Sequence, residues 1–191
     1  MKFPLQIRIP GWAQNMPVPG KTYQYADTNA DTFTINVNGK PAAYTMKSGY
    51  AVIDREWKKG DVVALNLPMP VRRVAAIDSI KQDKNRIAFQ RGPLVYCFEH
   101  ADNEGKAMNF FVPAKTVFTT QFNDNLLDGV VTLQANAPVA EANVDGSAVV
   151  TENKKIVAIP YYSWANRGSG EMQVWVPEKA GDIKIGADAR E

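Results

Sequence analysis

Apolar and polar residues alternate with a period of two along much of the chain. Leu5, Ile7 and Ile9 are apolar, and Gln6 and Arg8 between them are polar. Successive side chains of a strand point to opposite faces of a sheet, so this pattern predicts strands buried on one face. Further strands are predicted at 33–37, 50–54, 62–67, 86–90, 94–99, 130–134, 156–162 and 172–176. No segment shows a sustained helical period.

Turn signals separate these segments. Asn38-Gly39 is the strongest of them, because both residues tolerate the positive φ angles of a two-residue hairpin turn. The flanking segments 33–37 and 42–46 are expected to pair across it. Lys59-Gly60-Asp61 and Arg91-Gly92-Pro93 mark two further turns in the same way.

The fold class predicted from this pattern is all-β. Twelve prolines and thirteen glycines lie among many short strands, which favours an antiparallel β-sandwich or jelly roll over a parallel α/β sheet. The small, polar stretch ADNEGKAMN after His100 indicates a linker or a long loop. We therefore predict two small sandwich domains, residues 1–102 and 103–191, with the last strand returning to the first. A single sandwich interrupted by an insertion is the alternative.

Composition excludes several classes of partner. The 191 residues carry a formal net charge of only +2, and the basic residues are scattered, so no nucleic-acid-binding face is predicted. No apolar stretch has the length of a signal peptide core or a bilayer span, so no membrane partner is predicted. Because strand-like alternation begins by Leu5, we expect Met1 to lie within a longer protein.

The single cysteine is a weak candidate for a nucleophile. Cys97 lies in the apolar run LVYCF, and the only histidine, His100, is three residues further on. Residues at i and i+3 of a strand point to opposite faces. We therefore interpret Cys97 as a buried core thiol, and no cofactor and no metal are predicted.

Acidic residues suggest two other chemistries. The stretches 102–105 (DNEG) and 122–125 (FNDN) carry oxygen ligands suited to calcium, although the turn-forming tendency of Asn and Asp explains both. A pair of carboxylates converging in space is the requirement for glycoside hydrolysis. No pair stands out among the twenty acidic residues.

Exposed aromatic rings are candidate platforms for sugars, whose C–H faces stack on them. Trp12, Trp164 and Trp175 are the predicted carbohydrate-binding residues. Trp175 alternates out of phase with Val174 and Val176, so its ring is expected on the opposite face of its strand. The alternative is that these rings close core edges and domain interfaces, since aromatic area dominates both.

Five ordered sequence blocks resemble one known family. They are IRIPGWA at 7–13, VNGKP at 37–41, GYAVIDREWKKGDVVALNLPMPVRRV at 49–74, RIAFQRGPLVYCFE at 86–99 and IPYYSWANRGSGEMQVWVP at 159–177. Together they resemble the region downstream of the barrel in glycoside hydrolase family 127, the β-L-arabinofuranosidase-like proteins. The resemblance covers most of the chain and is weakest at 101–158.

The resemblance implies a parent enzyme with an (α/α)6 barrel followed by β-sandwich domains. It implies a bacterial enzyme of carbohydrate metabolism that removes L-arabinofuranose with a cysteine nucleophile beside a zinc ion. Those residues are implied to lie in the barrel, so no catalytic or zinc role passes to this chain. We expect Arg72, Arg73 and Arg91 to dock the barrel, with solvated surface as their alternative.

Three functions are carried forward. The first is a non-catalytic accessory module that supports the barrel and contributes to dimerisation with a homodimer partner. The second is a carbohydrate-binding module for plant glycans, and the third is an independent carboxylate hydrolase. The location of this chain is not predicted, although a parent that acts on glycans is expected to be periplasmic or secreted.

Overall fold

A computed structural model of the chain describes residues 1–29, 31–142 and 148–183. All regular elements in these ranges are strands or short 3-10 turns, and all twelve strand pairings are antiparallel. The predicted all-β, antiparallel fold class is therefore confirmed, and the architecture is consistent with a β-sandwich. No helix in the described part of the chain is long and apolar enough to span a bilayer.

Fifteen strands follow one another along the described ranges. They are β1 (Lys2–Arg8), β2 (Tyr23–Tyr25), β3 (Thr34–Val37), β4 (Lys40–Pro41), β5 (Thr45–Lys47), β6 (Tyr50–Glu56), β7 (Val63–Asn66), β8 (Val71–Ala76), β9 (Arg86–Arg91), β10 (Leu94–Glu99), β11 (Thr119–Asn123), β12 (Val130–Ala142), β13 (Ala148–Pro160), β14 (Met172–Gln173) and β15 (Val176–Pro177). The 3-10 turns are Gly11–Gln14, Lys81–Asp83, His100–Asp102, Tyr161–Ser163 and Ala180–Asp182.

Two three-stranded sheets form the first part of the molecule, in the orders β1-β6-β5 and β4-β3-β7. Their register follows the alternation of apolar residues, since Ile7 lies opposite Ala51 and Leu5 opposite Ile53. Ile9, Ile35, Ala51 and Ile53 form the buried centre between the two sheets. This core is small, and partly buried side chains complete it.

The predicted hairpin turn is present, but its second strand is shorter than expected. Asn38 and Gly39 have φ angles of 52° and 77°, and Val37 pairs with Lys40 across them. The expected pairing with 42–46 is mostly not observed: β4 ends at Pro41, and beyond it only Ala42 continues the contact, donating its N–H to the Ile35 oxygen at 2.9 Å. Residues 45–47 pair with β6 instead.

A nine-stranded sheet forms the second part, in the order β11-β12-β13-β10-β9-β8-β2, with β14 paired to β10 and β15 to β9. The chain contributes β2 to this sheet early and returns to it directly after Pro68 and Pro70. Strand β7 before these prolines belongs to a small sheet, and β8 after them belongs to the large one. The two prolines therefore lie where the chain crosses from one sheet to another.

Aromatic rings fill the core on one face of the large sheet. Phe98 lies edge-to-face with Phe89 and Phe110, at centroid distances of 6.0 and 5.0 Å. Phe110 and Val112 come from the irregular segment that follows the turn at His100 and are fully buried. This segment therefore covers the inner face of the sheet that β9 and β10 build.

The opposite face of the large sheet is covered by the long connection between β1 and β3. Gln90 on this face donates a hydrogen bond to the backbone oxygen of Pro17 at 3.4 Å. Trp175 also lies here, with its ring stacked on Tyr23 at 5.5 Å. The two parts of the molecule meet along this connection.

One side chain ends the pairing between β10 and β13. Beyond the last pair, Phe98 with Ala158, the amide of Asn103 takes the place of a strand. Its Nδ2 donates to the backbone oxygens of Glu99 and Val157 at 2.8 and 2.9 Å. Its Oδ1 accepts from the Val157 N–H at 2.9 Å.

The predicted division into domains at residues 102 and 103 stays a prediction. Strands from both sides of that point share the large sheet, since β10 pairs with β13 and β14. The short last strand β15 pairs with β9. Residues 184–191 of the predicted second domain lie outside the described residues.

We expect Phe98→Ala to lower the free energy of unfolding by about 3–5 kcal/mol, because it removes a fully buried ring from the aromatic core. Phe122→Ala is the matched control. That ring is 64% exposed on β11, and its loss should cost less than about 0.5 kcal/mol. Urea unfolding of both variants measures the difference. Equal losses would contradict the assignment of the core.

Candidate functional site

A cleft of about 230 Å³ lies where the first part of the molecule meets the large sheet. We call it the Trp12 cleft. Its walls come from three separate stretches of chain: Trp12, Ala13, Gln14, Asn15, Tyr25, Asn29, Asp31, Thr32 and Phe33 from the connection between β1 and β3, Pro68 and Pro70 from the crossing, and Arg72 and Gly92 from the large sheet.

Trp12 is held in the cleft wall by a short turn. Pro10 precedes the 3-10 turn Gly11–Gln14, and its oxygen accepts the N–H of Ala13 at 3.1 Å. Asn15 ends the turn in the left-handed conformation, φ 61° and ψ 31°, which asparagine tolerates well. The Gln14 side chain donates back to the oxygen of Ile9 at 2.7 Å. The indole is half-buried in this turn.

Arg72 forms the charged part of the wall and is only 5% exposed. Its Nε donates to Asp27 Oδ1 at 2.9 Å, and its Nη2 donates to Asn15 Oδ1 at 3.0 Å. The guanidinium lies 3.8 Å from the centre of the Tyr25 ring. Burial raises the pKa of the Tyr25 hydroxyl, and the charge of Arg72 opposes this shift.

Asn29 and Asp31 also line the cleft. The N–H of Asp31 donates to Asn29 Oδ1 at 3.2 Å, and Asn29 Nδ2 donates to the Asp31 backbone oxygen at 3.1 Å. These bonds fix the local backbone through the asparagine side chain. They leave the carboxylate of Asp31 without a hydrogen-bond partner among the described residues.

The other two arginines predicted to dock a barrel have different surroundings. Arg73 is largely buried, donates to Glu178 at 3.2 Å and to the oxygen of Pro113 at 2.7 Å, and has its pKa lowered by burial. Arg91 is partly buried, and its Nε has no partner in the described ranges. That all three arginines dock a barrel stays a prediction; Arg72 and Arg73 direct their donors into the chain itself.

The two other candidate tryptophans lie apart from the cleft. Trp164 is 39% exposed and stacks on Tyr161 at 6.1 Å, next to the 68% exposed Tyr162. Trp175 lies in the bend between β14 and β15, not within one strand 172–176, and is partly covered by Tyr23. The structure therefore does not bring the three predicted rings into one site. Sugar binding by any of them stays a prediction.

Cys97 is buried, as predicted. Its surroundings are acidic: burial, followed by the charges of Glu99 and Asp102, raises the pKa of the thiol to about 12. Glu99 is itself 2% exposed, and both carboxylates bind the guanidinium of Arg167. These acids are therefore paired with a cation.

The stretches considered for calcium make local hydrogen bonds. Asp102 is paired with Arg167, and Asn103 bonds to β13. In the second stretch, the N–H of Asn125 donates to Asn123 Oδ1 at 3.2 Å. Across residues 1–29, 31–142 and 148–183, no three His, Cys, Asp or Glu side chains are grouped as metal ligands.

Sequence reasoning found Trp12 but missed its neighbours in the cleft. Tyr25, Asp31 and Phe33 were not singled out, because no short spacing connects them to Arg72. Arg72 was interpreted as a surface cation, although the apolar residues Val71 and Val74 flank it and Arg73. These two valines were the one signal in the sequence that the segment around Arg72 is a strand with buried positions.

Comparison with known proteins gives two adjoining family matches. Residues 1–69 match the description "Beta-L-arabinofuranosidase, GH127 middle domain", and residues 71–177 match "Glycoside hydrolase family 127 C-terminal domain". The non-reducing end β-L-arabinofuranosidase of Bifidobacterium longum subsp. longum is 33% identical over 184 residues. That alignment covers 88% of this chain and 25% of the relative.

Solved structures agree with the sequence matches. A GH127 β-arabinofuranosidase superposes with a TM-score of 0.88 at 34% identity, over 96% of this chain and 29% of that one. The GH127 β-L-arabinofuranosidase from Geobacillus stearothermophilus T6 superposes with a TM-score of 0.75 at 35% identity, over 94% and 27%. The chain thus spans about a quarter of the length of these relatives. It belongs to glycoside hydrolase family 127 and corresponds to the middle and C-terminal domains of that family.

Proposed function

We propose that this chain is a non-catalytic accessory module of a glycoside hydrolase with β-L-arabinofuranosidase activity, and that it supports the barrel domain of that enzyme. The observation that carries the proposal is the match to the middle and C-terminal family domains, over a quarter of a relative that is a β-L-arabinofuranosidase. The barrel domain that this module would support lies in the remaining three quarters of such a protein.

The uneven burial of apolar residues supports a docked partner. Among the described residues, five buried hydrophobic residues lie in 1–69 and twenty lie in 71–177. Ten of the nineteen exposed large hydrophobic side chains nevertheless lie in 1–69. The first part therefore exposes many large apolar side chains for the few that it buries, and an interaction face is one place where such side chains are used.

Two edge strands show where the uncovered surface lies. Leu65 on β7 is paired with the buried Ile35, so both side chains point toward the core, yet Leu65 is 37% exposed. Met46 on β5 is paired with the buried Ala51 and is 43% exposed. We call these two inward-facing residues the open edge. A barrel packed there would complete the core of the first part.

The surroundings of Cys97 support the absence of catalysis in this module. The resemblance implies a cysteine nucleophile and a zinc ion, and the described residues do not fit them. Cys97 is the only cysteine in the sequence, and its thiol is buried with its pKa raised to about 12. A nucleophilic cysteine requires an accessible thiolate.

The chain alone is expected to release no nitrophenol from 4-nitrophenyl β-L-arabinofuranoside, whereas the complete protein that contains it is expected to do so. The reason is that the reacting groups lie outside this module. A colorimetric assay at equal molar concentrations measures both. Turnover by the chain alone, lost on heat denaturation, would show that the module is itself an enzyme.

Leu65→Glu is expected to lower the Tm of the complete protein more than the Tm of the chain alone. The reason is that a barrel docked on this apolar face would remove water from the new carboxylate, which is unfavourable. Ala64→Glu is the matched control, since Ala64 is exposed on the opposite face of the same strand. Differential scanning calorimetry measures all four shifts. Equal shifts for Leu65→Glu in the two proteins would contradict docking at the open edge.

Dimerisation, the further role that the resemblance implies, is tested by repeating the scans across a range of protein concentrations.

The buried thiol is expected to make stability fall at alkaline pH. A cysteine titrates near pH 9 when unfolded and near 12 here, so above pH 9 only the unfolded state loses the proton. The stability is complete below pH 9 and declines toward pH 12. Between pH 8 and 10 the native chain should lose about 1.4 kcal/mol relative to Cys97→Ala. Parallel urea unfolding curves measure this loss, and an identical pH dependence of the two proteins would refute the shift.

A further inference from the structure

The Trp12 cleft combines aromatic walls with polar side chains that retain hydrogen-bonding capacity within the described residues. Trp12, Tyr25 and Phe33 contribute rings, and Arg72, Asp31 and several amides contribute hydrogen-bonding groups. Ligand sites in proteins are concave, mostly apolar surfaces with a few placed polar groups. The cleft has this composition, and the role of the module as a barrel support does not require it.

Arg72 provides a fixed donor. Its Nε and Nη2 are occupied by Asp27 and Asn15, and the Tyr25 ring lies against the guanidinium. Within the described ranges, Nη1 donates to no protein atom. The group is therefore held in place by three neighbours and retains hydrogen-bonding capacity. Preorganisation of this kind reduces the entropy lost on binding.

Trp12 and Asp31 provide the complementary groups. In the described part of the chain, neither the indole Nε1 of Trp12 nor the carboxylate of Asp31 has a protein hydrogen-bond partner. Trp12 adds a donor beside an apolar ring face, and Asp31 adds acceptors. Donors and acceptors in the same cleft as aromatic rings suit a molecule that has both hydroxyl groups and C–H faces.

The charge of the cleft argues against an ionic ligand. The positive charge of Arg72 is balanced by Asp27 at 2.9 Å, and Asp31 adds a second negative charge. An anion would be repelled by Asp31, and a cation would meet the buried guanidinium. A neutral ligand avoids both costs.

The size of the cleft limits the ligand further. Sites for drug-sized molecules measure roughly 300–1,000 Å³, and this cleft measures about 230 Å³. We propose that the Trp12 cleft binds a single neutral sugar unit, with Trp12 stacking on the sugar ring and with Arg72 and Asp31 hydrogen-bonded to its hydroxyl groups. This inference goes beyond the accessory role, since docking at the open edge involves other residues.

The test is an NMR titration of the ¹⁵N-labelled 191-residue chain with three probes. Methyl β-L-arabinofuranoside and methyl β-D-galactopyranoside are neutral, and methyl β-D-galactopyranosiduronate is anionic. We expect saturable shifts of the Trp12 indole signal with a neutral probe, at a Kd on the order of 1 mM for so small a ligand. The anionic probe should bind at least about fivefold more weakly. Comparison of the two neutral probes shows whether the cleft binds a pentofuranose or a hexopyranose more tightly.

Three variants locate the site. Trp12→Ala should abolish the shifts of neighbouring amides, and Trp164→Ala, at an exposed ring outside the cleft, should leave them unchanged. Asp31→Ala should weaken binding about fivefold or more, and it stays informative if Trp12→Ala fails to fold, because the Asp31 carboxylate makes no hydrogen bond to the residues that the structure describes.

Three outcomes would overturn the proposal. They are the absence of saturable shifts up to about ten times the expected Kd, shifts centred on Trp164, and tighter binding of the anionic probe. The calorimetric comparison at Leu65 is independent of these results, so failure of sugar binding and failure of docking are distinguishable.

Discussion

The buried guanidinium of Arg72 joins the connection between β1 and β3 to the large sheet, beside the pairing of β2 with β8. A buried charge requires partners, because the cost of removing it from water is several kcal/mol. Its partners come from the 3-10 turn through Asn15 and from the following loop through Asp27. Strand β2 adds the Tyr25 ring. The long connection between β1 and β3 is thereby fixed against the large sheet, and the Trp12 cleft exists because it is fixed there.

The two parts of the chain differ in how completely they bury their apolar residues. The large sheet surrounds an aromatic core that its own connecting segment covers, whereas the two small sheets leave inward-facing residues uncovered at their edge strands. A small domain buries a smaller share of its surface than a large one. Arg72 binds the first part on one side, and the barrel that we propose at the open edge would cover it on another.

The strands and the crossing between sheets were predictable because their signals are local. Alternation places Ile7 and Ile53 on buried faces, and prolines at 68 and 70 interrupt pairing for a covalent reason. The cleft was not predictable, because its residues lie up to 80 positions apart, from Trp12 to Gly92. The expected pairing of 33–37 with 42–46 was only partly predictable. Pro41 can be seen in the sequence, but the pairing of 45–47 with β6 depends on the assembled sheet.

The side chain of Asn103 sets the point at which the pairing of β10 with β13 ends. Its carboxamide carries the same donor and acceptor as a peptide group, and it occupies the place that a further residue of β10 would fill beside Val157. A carboxylate offers only the acceptor and an aliphatic chain offers neither, so each would leave a main-chain group of Val157 unsatisfied. One planar side chain thus substitutes for a length of backbone, and it lets the polypeptide turn away to cover the core without leaving a gap in the ladder.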